Sequence, residues 1–517
     1  MTMTQEEYIA HLEKTIKSLE NQVSNLTEMV ILLNKKQFGH SSEKTPKTEI
    51  LDNQLYIEDA FNEVEALANE KVAEPPLVDM IAPRKKYSKA KREQLIKTMP
   101  VTEVECILEG EDKLCPWCQT EMQPIGKEQV RQELQFIPAQ IKITSYVRYT
   151  YACPSCKKDG EPVIIKAPTP QPVLKHSLAS PSSVAHVMYQ KYVNAIPLYR
   201  QEKDWPNYGM KLSRTTLANW VIRSAEDWLM PFVERLKQEL LRKDLLHADE
   251  TTIQVLHEPG KKATTESYMW LFRSGADDEK PIILFNYYAS RGGYHAAQYL
   301  DGFEGYLHTD GYQGYEKVKG VIRCGCWSHL RRYFVEAIPP TPSKNGELSL
   351  GEIGRDYCNK LFAIERELVD LSPEERKIKR LELEKPVLEA FWCWLDTLNP
   401  LKGSRLGKAV TYAKNQRKYM ENYLLDGRCS LSNNLAENSI RPFTIGRKNW
   451  EFANSVKGAH ASATVYSIIE TAKANKLNVF KYLRYLLQEI PNMDFKNKPE
   501  ILDQLLPWNE SIKKICK

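Results

Sequence analysis

Apolar residues near the start of the chain recur in a heptad pattern. Between residues 8 and 36 the steps alternate between three and four, and leucine alternates with isoleucine or valine: Ile9, Leu12, Ile16, Leu19, Val23, Leu26, Val30 and Leu33. This arrangement favours a parallel two-stranded coiled coil. We therefore predict a dimerisation helix over residues 5–37, with an amphipathic helix packed on its own chain as the alternative.

Residues 38–100 show no heptad period and are instead rich in charged residues. Acidic residues dominate between Glu49 and Asp79, and a basic run follows from Arg84 to Arg92. This composition indicates a flexible linker that ends in a basic arm. The arm either contacts nucleic-acid phosphates or is simply solvated.

Strand-like alternation appears between Gln135 and Tyr151, and a CxxC pair lies on each side of it. The four cysteines are Cys115, Cys118, Cys153 and Cys156. Two matched pairs predict a zinc ribbon over residues 101–170, in which four thiolates close a structural Zn²⁺ site. A redox CxxC or four unrelated core thiols are the alternatives.

Helical periodicity returns over residues 175–238. A helix over 182–194 is predicted, then a turn at 206–209, then a helix over 214–223 for which Ser213 is a good N-cap. This order is typical of a DNA-binding helix-turn-helix. Its second helix carries three side chains of types that reach base edges, namely Arg214, Thr215 and Asn219. A plain helical hairpin is the alternative.

From residue 240 the pattern alternates between strands and helices. Three strand-like runs at meander spacing are followed by a helix at 293–300 and two further runs; the five runs are 245–256, 267–273, 281–288, 305–315 and 321–327. This order describes an RNase H-like α/β catalytic core. We assign the core to 240–338 and 430–455, a helical insertion to 339–429, and a helical C-terminal domain with a loosely held tail to 456–517. The fold class is multidomain α+β.

Three acids stand out in this core. Asp249 lies inside the first apolar strand, Asp310 follows on a later one, and Glu437 lies on a helical segment. A carboxylate within an apolar strand is costly unless something compensates it, and a pair of divalent cations would do so. Carboxylates suit Mg²⁺ or Mn²⁺. Any one of these acids alone could equally be a solvated surface charge.

Basic residues follow the third acid. Arg441 shares a helical face with Glu437, and Arg447 and Lys448 come shortly after. We predict that these three side chains hold DNA beside the metal ions. Cys326 and His329 form a Cys-x-x-His pair nearby, but two ligands do not make a second zinc site.

Composition changes this picture little. The chain has 517 residues, 42% hydrophobic and 27% charged, so several soluble globular units are expected. The net charge of +5 is weak support for a nucleic-acid partner. We find neither a signal peptide nor an apolar run of the roughly 18 residues that span a bilayer. We expect a cytoplasmic protein with reduced thiols and no membrane partner.

The motifs resemble those of the insertion sequence 66 family of transposases over about residues 10–490. The resemblance rests on His247–Thr251, Thr309–Tyr312, Cys326–Arg332, Asn434–Pro442 and Gly446–Trp450. It implies that Asp249, Asp310 and Glu437 form the family's DDE triad, and that small accessory proteins of the same element take part. A role for His329 in positioning a DNA phosphate near the metals is a hypothesis.

The sequence therefore predicts a DNA transposase. It would bind terminal inverted repeats and target DNA, act as a homodimer or higher oligomer, and catalyse metal-dependent cleavage and strand transfer. Two alternatives stay open. One is a regulator that binds DNA without catalysis, and the other is an RNase H-fold nuclease that needs no specific paired ends.

Overall fold

The computed structural model of the protein describes residues 139–152, 164–340 and 346–517. The predicted coiled coil, the linker with its basic arm, and Cys115, Cys118, Cys153 and Cys156 lie outside these residues. They stay predictions from the sequence. Within the predicted zinc ribbon, the structure describes one short antiparallel pair, β1 (Thr150–Ala152) and β2 (Ile164–Lys166).

In the described part of the chain, four α-helices precede the main sheet, namely α1 (Pro181–Tyr192), α2 (Leu198–Asp204), α3 (Arg214–Ser224) and α4 (Met230–Leu240). The predicted N-cap is confirmed, because the Ser213 side chain accepts a hydrogen bond from the backbone N–H of Thr216. Gly209 ends the 3₁₀ turn before α3 with a φ of 86°, a conformation that favours glycine. Leu217, Trp220 and Val221 bury the inner face of α3.

A six-stranded mixed sheet forms the centre of the described structure. Its strands are β3 (Leu245–His257), β4 (Glu266–Ser274), β5 (Ile283–Tyr288), β6 (Gly305–His308), β7 (Val321–Cys324) and β8 (Phe452–Ser455). The order is β5-β4-β3-β6-β7, and β8 pairs with the far end of β3. β3, β4 and β5 are antiparallel neighbours, whereas β6, β7 and β8 run parallel to the strands they pair with.

The later strands are shorter than the sequence predicts. β6 ends at His308, so Asp310 lies in the turn beyond the strand and not within it. The Asp310 carboxylate accepts a hydrogen bond from the backbone N–H of Tyr312 at 2.9 Å, which closes a turn where the apolar pattern suggested more strand. Likewise β7 ends at Cys324, and a helix begins at Trp327.

Helices connect and cover the strands. They are α5 (Gly293–Tyr299), α6 (Trp327–Glu336), α7 (Leu350–Glu367), α8 (Pro373–Leu383), α9 (Lys385–Asp396), α10 (Arg405–Met420), α11 (Asn434–Trp450), α12 (Val456–Ala474), α13 (Val479–Glu489) and α14 (Glu510–Cys516). Helices α7 to α10 occupy the segment predicted to be an insertion. Of these, α7, α9 and α10 build a second apolar core with α6, around Trp327, Phe391 and Trp392.

Helices α1 to α4 do not form a core of their own. Their buried residues belong to one cluster with the sheet and with the C-terminal helices α12 and α13. Helix α11 contains Pro442 and continues past it to Trp450. The buried side chains of Ile440 and Phe443 on either side anchor the helix, which offsets the hydrogen bond that proline cannot donate.

The last residues of the chain are packed against the rest. We predicted a loosely held tail, but Ile512 and Cys516 are buried, and the backbone N–H of Asn478 donates to the Cys516 carbonyl at 2.6 Å. The charged residues around these apolar side chains masked the pattern in the sequence. Within the described part of the chain, no helix has the length and apolar character needed to cross a membrane.

Helix α12 closes the open edge of the sheet. The Thr471 hydroxyl accepts from the N–H of Ile283 at 3.0 Å and donates to its carbonyl at 2.8 Å. One turn earlier, the Ser467 hydroxyl makes the same pair of contacts with the backbone of Phe285. These hydroxyls satisfy the backbone groups that an edge strand otherwise leaves unpaired.

Replacing Thr471 by valine should therefore destabilise the fold. The change keeps the shape of the side chain but leaves a buried N–H and C=O of β5 without a partner, which costs about 1–3 kcal/mol. Thr464→Val is the matched control, because Thr464 is also buried on α12 but bonds only to its own helix, at the His460 carbonyl. Thermal unfolding should show a clearly lower midpoint for Thr471→Val, and equal midpoints would contradict this role.

Candidate active site

Three carboxylates from separate elements approach one another beside the centre of the sheet. Asp249 lies on β3, Asp310 lies in the turn after β6, and Glu437 lies in the first turn of α11. Burial raises the pKa of Asp249 well above its ordinary value, and the neighbouring charges of Glu250, Asp310 and Glu437 raise it further. The fold thus brings together the three acids that the sequence singled out.

The Asp310 turn is held from behind by an arginine. Arg323 donates from Nε to the Thr309 hydroxyl at 2.7 Å and from Nη2 to the Asp310 carbonyl at 2.6 Å. Gln416 of α10 adds a longer bond to the Gly311 carbonyl at 3.4 Å. These contacts hold the backbone of the turn and so fix the position of Asp310.

Asn433 fixes the start of the helix that carries Glu437. Its side-chain amide donates to the carbonyl of Ala248 at 2.8 Å, and its Oδ1 lies 3.0 Å from Nδ1 of His247. Its backbone N–H also contacts the Cys326 sulfur at 3.2 Å. Because Ala248 directly precedes Asp249, one buried side chain sets the position of α11 relative to the first acid.

His329 and Arg332 of α6 face the third acid. Nδ1 of His329 lies 3.6 Å from Oε1 of Glu437, and Arg332 approaches the other carboxylate oxygen at 3.7 Å. Burial lowers the pKa of His329, and the Glu437 charge opposes this shift only in part. His329 is therefore set up as a neutral imidazole, which can donate one hydrogen bond or ligate a cation.

Cys326 joins this group. The ligand atoms of Cys326, His329 and Glu437 all lie within 4.8 Å of one another. Burial raises the pKa of the Cys326 thiol to about 12, so this sulfur is protonated at neutral pH. The Cys-x-x-His pair is thus part of the surroundings of Glu437, which its spacing alone did not reveal.

A fourth acid, Glu250, was missed by sequence reasoning. Its side chain is only 1% exposed and accepts hydrogen bonds from Arg291 at 2.8 and 2.6 Å and from the Tyr315 hydroxyl. Arg291 also lies 4.0 Å from the Asp310 carboxylate and stacks on the Tyr312 ring. In the sequence, the position of Glu250 next to Asp249 was the one indication of such a role, because its partners Arg291 and Tyr315 lie far along the chain.

Tyr412 was missed as well. It reaches the site from α10, and its ring lies so close to Gly311 that a side chain there would collide with it. The Tyr412 hydroxyl is buried without a hydrogen-bond partner among the described residues. Burial raises the pKa of this hydroxyl, and the charge of Asp310 adds to the shift. Nothing local in the sequence of a helical insertion indicates such a position.

The predicted DNA contacts fall into two groups. Arg214, Thr215 and Asn219 are exposed on α3, as a base-reading surface requires. Among the residues after Glu437, Arg447 donates to the Thr251 hydroxyl at 3.1 Å and so ties α11 to β3. Arg441 is partly buried and Lys448 is exposed on the same helix. A DNA-binding role for all of these residues stays a prediction.

Comparison with known proteins identifies the class to which this site belongs. The family described as "Transposase IS66 family" matches residues 176–461, more than half of the chain and all three acids. The protein is thus a transposase, and it belongs to the IS66 transposase family. Three further matches are the zinc-finger binding domain of transposase IS66 at 112–157, the IS66 C-terminal element at 467–508, and "Transposase C of IS166 homeodomain" at 25–104.

Two similar proteins come from Sinorhizobium fredii (strain NBRC 101917 / NGR234). Protein y4qI is 26% identical over 528 residues, which cover 97% of this chain and 92% of that protein. Protein y4jD is 28% identical over 420 residues, with 78% and 79% covered. The match to the zinc-finger domain includes Cys115, Cys118, Cys153 and Cys156 and supports structural zinc.

Asp249→Asn should stabilise the metal-free protein at neutral pH. Because the pKa of Asp249 is raised by folding, the folded state holds this proton more tightly than the unfolded chain. Stability present at low pH is therefore lost as the pH rises through the folded pKa, and an uncharged asparagine avoids that loss. Melting in EDTA at pH 7.5 should show a higher midpoint for Asp249→Asn.

Asp301→Asn is the matched control, because Asp301 is exposed and the same loss of charge should leave the midpoint unchanged. Added Mg²⁺ should raise the midpoint of the parent protein and have little effect on Asp249→Asn. A lower midpoint for Asp249→Asn in EDTA would contradict this prediction. It would show that the Asp249 carboxylate stabilises the folded protein through a partner instead of being repelled by the neighbouring acids.

Proposed function

We propose that this transposase is a DDE recombinase that cleaves the ends of its element and joins them to target DNA. The observation that carries the proposal is the convergence of Asp310 and Glu437 on Asp249, whose pKa their charges raise, while no cationic side chain is paired with Asp249 among the described contacts. The strand order and directions support an RNase H-like core, since β3 to β5 form an antiparallel meander and β6 and β7 add in parallel.

The donor set fits hard divalent cations. Three carboxylates meet at the site, and Oε1 of Glu437 is buried without a hydrogen-bond partner in the described part of the chain. Oxygen donors of this kind suit Mg²⁺ or Mn²⁺, and the surplus of negative charge is what such cations offset. Asp249, Asp310 and Glu437 would hold them.

The side chains around the acids have separate tasks in this proposal. When bound, the cations would activate a water molecule or a DNA 3′-hydroxyl and stabilise the leaving oxygen. His329, neutral and beside Glu437, donates a hydrogen bond to a DNA phosphate, and Arg332 offers a charge to the same group. Arg447 holds α11 on β3, while Arg441 and Lys448 bind the DNA backbone. No protein side chain becomes covalently attached to DNA.

The remaining segments would bring the DNA ends to this site. The exposed face of α3, the zinc ribbon and the basic arm bind the terminal inverted repeats, and the coiled coil pairs two protein–end complexes as a homodimer. Small accessory proteins of the same element take part. The family match at residues 112–157 supports the zinc-dependent part of this assembly.

Glu437→Gln and Asp310→Asn should abolish cleavage and keep end binding. Loss of a ligand removes several kcal/mol of transition-state stabilisation, so cleavage should fall on the order of 10³-fold or more. The assay uses the DNA that flanks the gene, with Mg²⁺ or Mn²⁺, and any small proteins encoded beside it. Glu304→Gln, an exposed residue just before β6, is the control and should leave the rate unchanged.

Each rival function has its own signature in this assay. Binding of the flanking ends without cleavage by the parent protein would support a regulator. Cleavage of unrelated duplexes at the same rate would support a nuclease without end specificity. Equal cleavage by the parent protein and Glu437→Gln would show that Glu437 is not a metal ligand.

Arg214→Ala and Asn219→Ala should weaken binding to the element ends. A side chain that reads a base edge contributes about 1–3 kcal/mol, so each change should raise Kd roughly tenfold for the end sequence and much less for unrelated DNA. Arg223→Ala is the control, because it removes a positive charge from the end of the same helix. An equal loss on both DNAs would indicate a phosphate contact and not base reading.

A further inference from the structure

A buried row of polar side chains crosses the sheet beside the candidate active site, because His247 lies two residues before Asp249 and His308 two residues before Asp310. In the registers of the parallel strands, His247 of β3 stands opposite His308 of β6, and His308 stands opposite Cys324 of β7. The two imidazole rings stack with their centroids 4.4 Å apart. Cys429, in the loop before α11, covers the end of this row.

His308, Cys324 and Cys429 lie as close to one another as the ligands of one metal ion. A ring nitrogen of His308 and the sulfurs of Cys324 and Cys429 all lie within 4.8 Å of one another. The three residues are 0%, 0% and 1% exposed. This cluster is separate from that of Cys326, His329 and Glu437, with which it shares no residue.

The hydrogen bonds of His308 leave it free to bind something else. Its Nδ1 is buried with no hydrogen-bond partner among the described residues. Its Nε2 accepts a long hydrogen bond, at 3.4 Å, from the backbone N–H of Ser430. A buried imidazole without good partners is costly, and a cation would remove that cost.

We propose that His308, Cys324 and Cys429 bind a zinc ion. Two thiolate sulfurs and an imidazole nitrogen are a soft donor set that suits zinc, and that Mg²⁺ does not accept. Three protein ligands leave a fourth position for water or another donor. This zinc ion is distinct from the one of the predicted ribbon and from the cations of the carboxylate site.

The site would join the three segments that build the candidate active site. His308 precedes the Asp310 turn, Cys324 precedes the Cys326–His329 pair, and Cys429 lies in the loop that leads to Asn433 and α11. A metal ion bound to all three would fix their spacing without touching DNA. The existence of this ion does not depend on the DDE proposal.

The test is a count of bound zinc in the full-length protein. The parent protein, loaded with Zn²⁺ and freed of loosely bound metal by gel filtration, should hold about one zinc ion per chain more than Cys429→Ser or Cys324→Ser. Cys358→Ser is the matched control, because Cys358 is equally buried but lies on α7 outside the cluster, and it should retain the zinc content of the parent.

Cobalt gives a second readout that does not require the Cys324 and Cys429 variants to fold. In a Cys115→Ser/Cys118→Ser background, which removes the ribbon, Co²⁺ should still produce thiolate-to-metal charge-transfer absorption. His308→Asn in that background should change or abolish the band. Unchanged zinc content in Cys429→Ser together with no cobalt band would overturn the proposal. A Cys324–Cys429 disulfide found by mass spectrometry in place of zinc would overturn it as well.

Discussion

Electrostatic repulsion among three carboxylates is the constraint on which the site depends. Asp249 lies where burial and the charges of Asp310 and Glu437 all disfavour its ionised form. The energy to hold the acids together comes from the sheet and the helices, because β3 is paired on both sides and α11 is tied to it by Asn433 and Arg447. A rigid frame that holds like charges close is also a frame prepared for cations.

The helical insertion is part of this frame. Gln416 bonds to the turn that carries Asp310, Tyr412 packs on Gly311, and the indole of Trp327 donates to the carbonyl of Met420 at 2.8 Å. Movement of α10 would therefore displace the second acid. The insertion contributes to the geometry of the site as well as to the size of the protein.

The same dependence on distant segments holds at the β5 edge of the sheet. Helix α12 closes the β5 edge with the hydroxyls of Ser467 and Thr471, and helices α1 to α4 bury their apolar faces in the same core. The helices predicted as a helix-turn-helix are thus anchored on the main sheet. The exposed face of α3 therefore belongs to a helix that packs into the same core as the strand that carries Asp249.

The sequence by itself determined the local elements and the three acids. The β3 strand, the Ser213 cap and the helix that carries Glu437 follow from alternation, capping and periodicity, which act between neighbouring residues. Only the tertiary structure decided the partners of Glu250, the position of Tyr412 and the packing of the last residues. The reason is physical, because these contacts join residues far apart in the chain, and only the folded packing brings such residues together.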